Sequence, residues 1–364
     1  IEIVHREIFS LFQDVYLWYE ELPTSIDARS YDSPQQFVEA IKYDELDRFS
    51  SVIPKTEFQQ YFEQGQSFGH GFSVKIDEDN NIRIAFIYKN TTAYSEGIRR
   101  SWIIKEVNDT RATSSSYFDL LGSSDEQVTN TFLFELPDGS EKQISLTKEV
   151  VELNTILHDE VIEENGKKIG YIVFQDFISA AIPQIDSVFE DFTTANIDEL
   201  ILDLRYNGGG SILVAEHIAD WILGLQNSGE PFYSLVHNDK RSAQDTTANI
   251  EQLEMALSVN SVVFITTRNT ASASEMLLNG FKPYTTVTSV GSKTYGKPVG
   301  QEPFVFKDYN YAVLPITFEY VNANNNGGFY NGISSDIQAN DDFTKRFGDP
   351  EEASLQAAII YLTT

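Results

Sequence analysis

Hydrophobic and polar positions change their spacing twice along the chain, and these changes divide it into three regions. In residues 1–65 the apolar side chains recur at helical spacing on one face: Ile8, Phe12, Val15, Tyr16, Tyr19 and Leu22. Ser33 followed by Pro34 predicts a helix start, and Gly65 predicts a helix end. We interpret this region as a helical prefix packed on the next domain. The alternative is a cap that gates substrate or dimerises.

Residues 66–150 change to short runs of β-prone residues separated by turn residues. Strands are predicted after the glycines at 69 and 71, and then at 82–88, 102–107, 128–136 and 142–147. Pro137-Asp138-Gly139 separates the last two runs and is a hairpin signal. The pattern predicts a small β-rich domain.

Residues 151–364 alternate buried-strand runs with helical runs. Strands are predicted at 156–162, 169–174, 200–204, 232–236 and 262–266, and an antiparallel pair at 302–306 and 311–318. Helices are predicted at 182–192, from about Ser211 to Leu223 with an end at Gly224, and from Asp349 to about Leu362. This alternation implies a largely parallel sheet. The fold class predicted for the whole chain is therefore multidomain α/β.

Composition excludes several classes of function. The chain of 364 residues has 26 basic and 55 acidic residues and a formal net charge of −29, which disfavours nucleic acid as a partner. It contains no cysteine, which excludes disulfides, thiolate catalysis and cysteine-ligated zinc. No apolar run reaches about 18 residues, so we expect no membrane span. The chain starts at Ile1 rather than Met, so we expect that a signal or anchor has been removed.

The residues that carry candidate chemistry lie in the stretch 270–301. A turn of small residues, Thr270-Ala271-Ser272-Ala273-Ser274-Glu275, stands between a strand run and a helical run. A serine at such a turn is exposed, and the first N–H groups of the following helix have no partner within the helix. Ser272 is therefore a candidate nucleophile facing an oxyanion site. The alternative is a helix cap in which Glu275 completes a capping box.

Lys297 is the candidate base. A lysine ordinarily titrates near ~10.4, so it must lose solvation to act as a neutral amine at physiological pH. A drop of about three pKa units costs roughly 4 kcal/mol. Gln301 could hold the amine by a neutral hydrogen bond, whereas a carboxylate there would raise the lysine pKa. We expect Lys297 to be buried.

The glycines Gly208-Gly209-Gly210 follow a strand run and precede a helical run, so their backbone can present N–H groups to a ligand. A phosphate loop is disfavoured because neither of the usual glycine-lysine patterns is present. The alternatives are an oxyanion donor loop and a tight strand–helix turn. No histidine lies in a motif, and we interpret each one as a surface or packing residue: His5, His70, His158, His217 and His237. We interpret Asp77-Glu78-Asp79-Asn80 as a polar turn rather than a calcium loop.

In combination these motifs resemble the signature of the carboxyl-terminal processing (tail-specific) serine peptidases. The matching segments are 270–275, Gly296-Lys297 with Gln301, and 203–210, with a later resemblance at Gly332-Ile333-Ser334-Ser335-Asp336-Ile337. Within the β-rich region, Gly71-Phe72-Ser73-Val74 resembles the carboxylate-binding loop of a PDZ domain. Pro298 stands where the family usually has glycine, and Ser335 where it has proline.

The resemblance implies an N-terminal helical region at 1–65, a PDZ-like domain at 66–150 and a ClpP/crotonase-like catalytic core at 151–364. It implies that Ser272 is the nucleophile, Lys297 the base and Gln301 the residue that orients it. The N–H of Ala273, with that of Gly210 or Gly209, would form the oxyanion hole. Substrate tails would bind at Gly71, Phe72, Ser73 and Val74.

The function expected from the resemblance is endoproteolysis near the C-termini of proteins or peptides, with no metal or organic cofactor. The expected partners are substrates with free C-terminal tails. The expected location is outside the cytoplasm, periplasmic or lipid-anchored at a bacterial envelope. Two alternatives are a non-catalytic peptide- or ligand-binding module on the same core, and a scaffold that uses only the PDZ-like domain.

Overall fold

The computed structural model describes residues 1–123 and 128–364. The helices are α1 Glu2–Val15, α2 Pro34–Ile41, α3 Lys55–Phe58, α4 Thr92–Ser95, α5 Tyr117–Leu120, α6 Ile182–Ala195, α7 Ile212–Asn227, α8 Ala273–Phe281 and α9 Ala353–Thr363. Short 3-10 helices occupy Tyr19–Glu21, Ser179–Ala181 and Asp239–Gln244, and a π-helical turn occupies Gln59–Glu63. Within this described part, no helix is both long and apolar enough to cross a membrane.

The strands pair into separate sheets along the chain. The first strands are β1 Ser51–Pro54, β2 Gln66–Gly69, β3 Phe72–Ile76, β4 Ile82–Ile87, β5 Ile103–Val107, β6 Thr110–Arg111, β7 Thr129–Glu135, β8 Glu141–Thr147 and β9 Glu149–Glu152. The later strands are β10 Ile156–Glu164, β11 Lys167–Phe174, β12 Glu199–Asp203, β13 Pro231–His237, β14 Thr246–Asn249, β15 Ser261–Thr266, β16 Thr286–Gly291, β17 Val299–Gln301, β18 Phe304–Phe306, β19 Tyr311–Leu314, β20 Ile316–Asn322 and β21 Ile337–Gln338.

The N-terminal region begins with helices but is joined to the last third of the chain by a strand. Helix α2 starts as predicted, because Ser33 Oγ accepts a hydrogen bond from the Gln36 N–H at 3.2 Å. Helix α1 ends at Val15, earlier than the apolar pattern predicted, because Tyr16 turns to an extended backbone and donates its hydroxyl proton to Asp47. Strand β1 pairs antiparallel with β19. The prefix is therefore part of the same packed structure as the core.

Residues 66–150 form an antiparallel β unit. The strand order is β3-β4-β5-β7-β8, with β6 beside β5. The predicted hairpin is confirmed, since β7 and β8 pair from Thr129↔Thr147 to Glu135↔Glu141. Strands β2 and β9 pair with each other at the two ends of the unit. The strands of this region were predictable from the apolar pattern, because each strand buries one face in the hydrophobic core of the β unit.

The large sheet of the core has the order β10-β11-β12-β15-β16-β21 among the described strands. Its strands are parallel from β11 to β21, and β10 is an antiparallel edge. In β12, Leu200 and Leu202 face the cluster packed against α6, α7 and α8, whereas Ile201 faces the cluster packed against α9. Burial on both faces explains why these strands read as continuous apolar runs. The α/β prediction with a helical N-terminus is confirmed.

Two predicted boundaries were wrong. Helix α7 continues through Gly224 to Asn227. This glycine does not end the helix but allows the backbone at 251–252 to approach it closely. A Cβ on Gly224 would lie 2.5 Å from the Glu251 carbonyl oxygen. The predicted strand 311–318 is two strands, β19 and β20, separated at Pro315. Strand β20 belongs to a second sheet of order β14-β13-β20-β17.

Candidate active site

Ser272 occupies the turn between β15 and α8 in an unusual backbone conformation. Its φ of +56° and ψ of −118° lie in a region that L-residues other than glycine rarely adopt. Two hydrogen bonds hold the turn in place. Thr270 Oγ1 donates to the Leu204 carbonyl at 2.8 Å, and the Ala271 N–H donates to the Asn207 carbonyl at 3.1 Å. Ser272 lines a large cavity. Ser272 therefore stands at the predicted strand-to-helix turn and is half-buried at the cavity wall.

The triple-glycine loop lies directly against this turn. A Cβ on Gly209 would lie 2.7 Å from Ser272 Cβ and 2.9 Å from the Ala273 nitrogen, so only glycine fits there. The Gly209 N–H donates to Asn207 Oδ1 at 2.9 Å. Within residues 1–123 and 128–364, the N–H groups of Gly210 and Ala273 have no hydrogen-bond acceptor in the protein. The geometry thus leaves the Gly210 and Ala273 N–H groups free as donors, and not that of Gly209.

The Lys297 amine is held by Gln301. Lys297 Nζ donates to Gln301 Oε1 at 2.5 Å. The Gln301 Nε2 group donates to the carbonyls of Phe49 at 2.9 Å and Leu314 at 2.8 Å, so the amide oxygen must face the lysine. Burial lowers the pKa of Lys297 to about 8, while the negative charges of Asp47 and Glu275 act in the opposite direction.

Glu275 joins the serine turn to the lysine loop. Its side chain is 0% exposed. Oε2 accepts from the N–H groups of Ser272 at 3.0 Å and Lys297 at 2.8 Å, and Oε1 accepts from the Gly296 N–H at 2.7 Å and the Thr294 hydroxyl at 2.5 Å. Burial raises the pKa of Glu275, and these hydrogen bonds oppose that rise. The predicted capping box is present, and the same carboxylate also fixes the loop that carries the lysine.

Tyr320 bridges the same two segments from β20. Its hydroxyl lies 3.1 Å from the Ser272 carbonyl oxygen and 3.0 Å from the Lys297 carbonyl oxygen. In the described part of the chain, Ser272 Oγ and Lys297 Nζ make no hydrogen bond with each other, although both side chains line one cavity. Catalytic hydrogen bonds of this kind are often longer before substrate binds. The structure brings nucleophile and base candidates to one place without joining them.

The cavity has a volume of about 1020 Å³ and a largely apolar wall. The apolar side chains lining it are Phe58, Tyr61, Phe62, Phe177, Ile178, Ile212, Leu213, Leu235, Val305, Leu314 and Phe318. Asp176 is also in the wall, 6% exposed, and accepts a hydrogen bond from the Tyr61 hydroxyl. Burial raises the pKa of Asp176 to about 7. A concave wall of this kind can accommodate apolar side chains.

Among the described residues, His237 is the one histidine that lines this cavity. Its Nδ1 lies 3.2 Å from Asp245 Oδ1, and its backbone N–H donates to the same oxygen at 2.8 Å. No hydrogen bond joins it to Ser272 in the described chain. A histidine base is therefore an alternative that a variant must test. No group of three or more acidic or histidine side chains in the described chain could hold a metal ion.

The predicted tail-binding residues lie apart from this cavity. Gly71 has φ +79°, and a Cβ there would lie 2.5 Å from Thr91 Cγ2. Phe72 and Val74 pack on the core of the β unit, while Ser73 pairs with Phe86. Among the described strands β3 pairs only with β4, which leaves its other edge unpaired. None of the four predicted residues is among the described residues that line the cavity.

Sequence reasoning missed the residues that support the site from a distance. The role of Glu275 in the lysine loop had no signal beyond its capping-box spacing. Asn207 stands directly before the glycines and could have been noticed on that ground. Asp176 and Tyr320 carry no local pattern, because an isolated acid or tyrosine in an apolar run is usually a packing residue.

Two family models match parts of this chain. Residues 168–339 match the model of peptidase family S41, and residues 4–51 match the model of the peptidase S41 N-terminal domain. The chain belongs to peptidase family S41. The S41 match covers the serine turn, the lysine loop and the glycine loop, whereas the N-terminal match covers α1, α2 and the segment that contacts Gln301.

Relatives within the S41 family include a carboxyl-terminal-processing protease of Synechocystis sp. (26% identical over 67% of this chain and 56% of the relative). A probable CtpA-like serine protease of Staphylococcus aureus is 25% identical over 72% of this chain and 51% of the relative. The chain thus spans about half the length of the curated relatives it matches.

Solved structures show the same fold. A Bacteroides fragilis protein assigned to the S41 proteases superposes with a TM-score of 0.82 at 22% identity, over 98% of this chain and 97% of that one. The photosystem II D1 C-terminal processing protease superposes with a TM-score of 0.56 at 18% identity, over 93% of each chain. At these identities the likeness concerns the fold alone.

Proposed function

We propose that this S41 protein is a serine endopeptidase that cleaves protein or peptide chains near their C-termini by a Ser–Lys mechanism. The observation that carries the proposal is the joint placement of Ser272, Lys297 and two free N–H donors, those of Ala273 and Gly210, around one cavity. A non-catalytic binding protein has no use for a buried lysine at that cavity whose pKa is lowered to about 8. The names of the curated relatives support the same activity.

In this mechanism the neutral amine of Lys297 takes the proton from Ser272 Oγ, which attacks the carbonyl carbon of the scissile peptide bond. The N–H groups of Ala273 and Gly210 stabilise the negative charge that develops on the carbonyl oxygen, each such donor typically contributing about 3–4 kcal/mol. The resulting ammonium of Lys297 returns its proton to the leaving amine as the C–N bond breaks. A water molecule, deprotonated by the same amine, then hydrolyses the acyl ester on Ser272.

We infer that the β unit at 66–150 is a PDZ-like domain that receives the substrate tail, and that the core at 151–364 carries catalysis. Supporting this, β3 has an unpaired edge among the described strands and follows a glycine-led loop, the two parts needed to add a peptide strand and hold its terminal carboxylate. An exported location stays a prediction from the family resemblance.

The test uses an unfolded protein substrate with an apolar C-terminal tail, prepared with a free carboxylate and with a C-terminal amide. We expect wild type to cleave the free tail and to cleave the amidated tail at least about tenfold more slowly, since the carboxylate interaction is lost. Ser272→Ala should bind the free tail with unchanged affinity and not cleave it. Binding without cleavage by wild type would establish the non-catalytic alternative, and cleavage by Ser272→Ala would place the nucleophile elsewhere.

A further inference from the structure

The segment at residues 47–50, which directly precedes β1, contacts the loop that carries Lys297 and Gln301 although it has no recognisable motif. The Phe49 carbonyl accepts a hydrogen bond from Gln301 Nε2 at 2.9 Å, and the Phe49 ring lies 5.6 Å from Lys297 Nζ. Ser50 Oγ accepts from the Ile316 N–H at 3.0 Å. Because a side-chain amide has only one oxygen, the Phe49 contact, together with that of the Leu314 carbonyl, sets which end of Gln301 faces the lysine.

Arg48 holds the loop that precedes the lysine. Its Nη2 lies 3.0 Å from the Tyr295 carbonyl oxygen, 2.9 Å from that of Gly296 and 2.9 Å from that of Tyr330. Its guanidinium also lies over the Tyr295 ring at 4.9 Å. The side chain is largely exposed, so its contacts add little to overall stability, but they fix three carbonyls around the turn at Gly296.

Asp47 supplies a buried carboxylate to the same segment. It is 1% exposed and accepts hydrogen bonds from the Tyr16 hydroxyl at 2.7 Å and from the N–H groups of Phe49 at 2.9 Å and Ser50 at 2.8 Å. No ion pair neutralises it within the described residues. Its charge therefore acts on its surroundings, and it raises the pKa of Lys297 against the effect of burial.

We propose that residues 47–50 are a positioning element of the Ser–Lys site, in which Phe49 orients Gln301, Arg48 fixes the lysine loop and Asp47, held by the three hydrogen bonds that it accepts, acts electrostatically on the base. The inference rests on the proposed function and deepens it, because it makes the N-terminal region a functional part of the catalytic machinery. None of these residues makes a hydrogen bond to Ser272 Oγ or Lys297 Nζ within the described chain, so each one acts by positioning or electrostatics.

Among the described residues, two carboxylates act on the Lys297 amine and one tyrosine contacts its backbone. Asp47 acts from the N-terminal region and Glu275 from α8, and both raise the pKa of the lysine. Tyr320 approaches from β20 through the Lys297 carbonyl, and burial keeps its hydroxyl protonated by raising its pKa well above the ordinary value. Removing the Asp47 charge alone should therefore lower the pKa of Lys297 and leave the other groups in place.

The experiment measures kcat and KM from pH 6 to 10 and, separately, the pH dependence of Lys297 acetylation by pulses of acetic anhydride, read by peptide mass spectrometry. Acetylation needs the neutral amine, so it reports the Lys297 titration without any cleavage. The variants are Asp47→Asn, Arg48→Ala and Arg48→Lys. Arg6→Ala is the matched control, because it removes an exposed arginine from the same region whose partner is Glu2 rather than any residue of the site.

Asp47→Asn is expected to lower two midpoints by about half a pH unit to one unit, that of the rise in activity with pH and that of Lys297 acetylation. The reason is that an opposite charge favours the ammonium form, and the variant removes such a charge. Arg48→Ala should lower kcat about tenfold with little change in KM, because a base out of position weakens proton transfer. Arg48→Lys should recover part of that loss, and Arg6→Ala should behave as wild type.

The inference is overturned if Asp47→Asn leaves the acetylation midpoint unchanged, or if Arg48→Ala keeps wild-type kcat while Lys297→Ala is inactive. That second pattern would leave the Ser–Lys peptidase standing and remove only the positioning role. If wild type never cleaves, yet Asp47→Asn moves the acetylation midpoint, the proposed peptidase fails while the influence of residues 47–50 on the lysine stands.

Discussion

Lys297 donates a hydrogen bond of 2.5 Å to Gln301, a neutral partner rather than a carboxylate. A neutral acceptor fixes the direction of the amine without adding a full negative charge that would keep it protonated. Burial therefore prevails, and the pKa of the lysine falls to about 8. In the proposed mechanism, this pair would allow the lysine to act as a base close to physiological pH.

The first prediction concerns this pair. In Gln301→Glu, the rise of activity with pH should occur at higher pH than in wild type. In Gln301→Met, it should occur at the same pH or a lower one, because only the glutamate adds a charge. Both variants should lose at least about tenfold in kcat at pH 7.5, since the amine is no longer held in place. Initial rates from pH 6 to 10 distinguish them. Identical shifts in the two variants would mean that position 301 acts only by packing.

The second prediction concerns the close contact between Gly209 and the serine turn. Gly209→Ala should reduce kcat by about a hundredfold or more, because its Cβ would lie 2.7 Å from Ser272 Cβ at a backbone φ of +99° and would displace the oxyanion donors. Gly208→Ala is the comparison, since a Cβ at Gly208 meets no atom within 4 Å and should cost far less. Equal losses would show that the loop tolerates no side chain for reasons other than this contact.

The third prediction concerns the buried carboxylate of Glu275. Glu275→Ala should lower the free energy of unfolding by about 3 kcal/mol and abolish cleavage, because four donors that it satisfies would be left unpaired. Urea denaturation measures the first effect. The exposed Glu190 on α6 provides the control, and Glu190→Ala should stay within about 0.5 kcal/mol of wild type. A stable Glu275→Ala variant with normal activity would contradict the role assigned to this carboxylate.

The fourth prediction concerns the pH dependence of stability. Burial raises the pKa of Asp176 to about 7 from its ordinary 3.8. Between these values the folded chain retains a proton that the unfolded chain has released, so this group makes stability fall as pH rises through that window. Asp176→Asn should therefore be more stable than wild type at pH 8, by on the order of 2 kcal/mol, with the difference shrinking toward pH 4.

Thermal or urea unfolding at pH 4, 6 and 8 measures this difference. The exposed Asp191 on α6 serves as the control, and Asp191→Asn should show no such trend. A destabilised Asp176→Asn variant at pH 8 would mean that the ionised carboxylate stabilises the folded protein, which is contrary to a raised pKa.

Much of the fold followed from local patterns. The strands of the large sheet were predictable because burial on both faces produces short apolar runs, as at β12 and β15. The start of α2 was predictable because Ser33 and Pro34 satisfy the requirements of a helix N-terminus locally. The role of Gly224 was not predictable, because the sequence alone does not distinguish a glycine required for close backbone approach from one that ends a helix.

The candidate site divides in the same way. Ser272, Lys297 and Gln301 stand in short motifs, and the resemblance of these motifs to a known family, rather than their spacing alone, indicates the chemistry. Arg48 contacts the Gly296 carbonyl across 248 positions of sequence, and no local pattern encodes such a contact. The pairing of β1 with β19 was likewise not predictable, because it is made by main-chain hydrogen bonds that leave little trace in the pattern of side chains. Long-range support of a site is therefore the part that sequence reasoning missed.

The most direct test of the central claim is the pH–rate profile of wild type from pH 6 to 10 on an unfolded substrate, beside Ser272→Ala, Lys297→Ala and His237→Ala. The Ser–Lys mechanism predicts activity that rises as the lysine deprotonates, with a midpoint near the Lys297 pKa of about 8. It also predicts no cleavage by the Ser272 and Lys297 variants and a preserved midpoint in His237→Ala. Full activity in Lys297→Ala, or loss of the rising limb only in His237→Ala, would contradict a Ser–Lys mechanism.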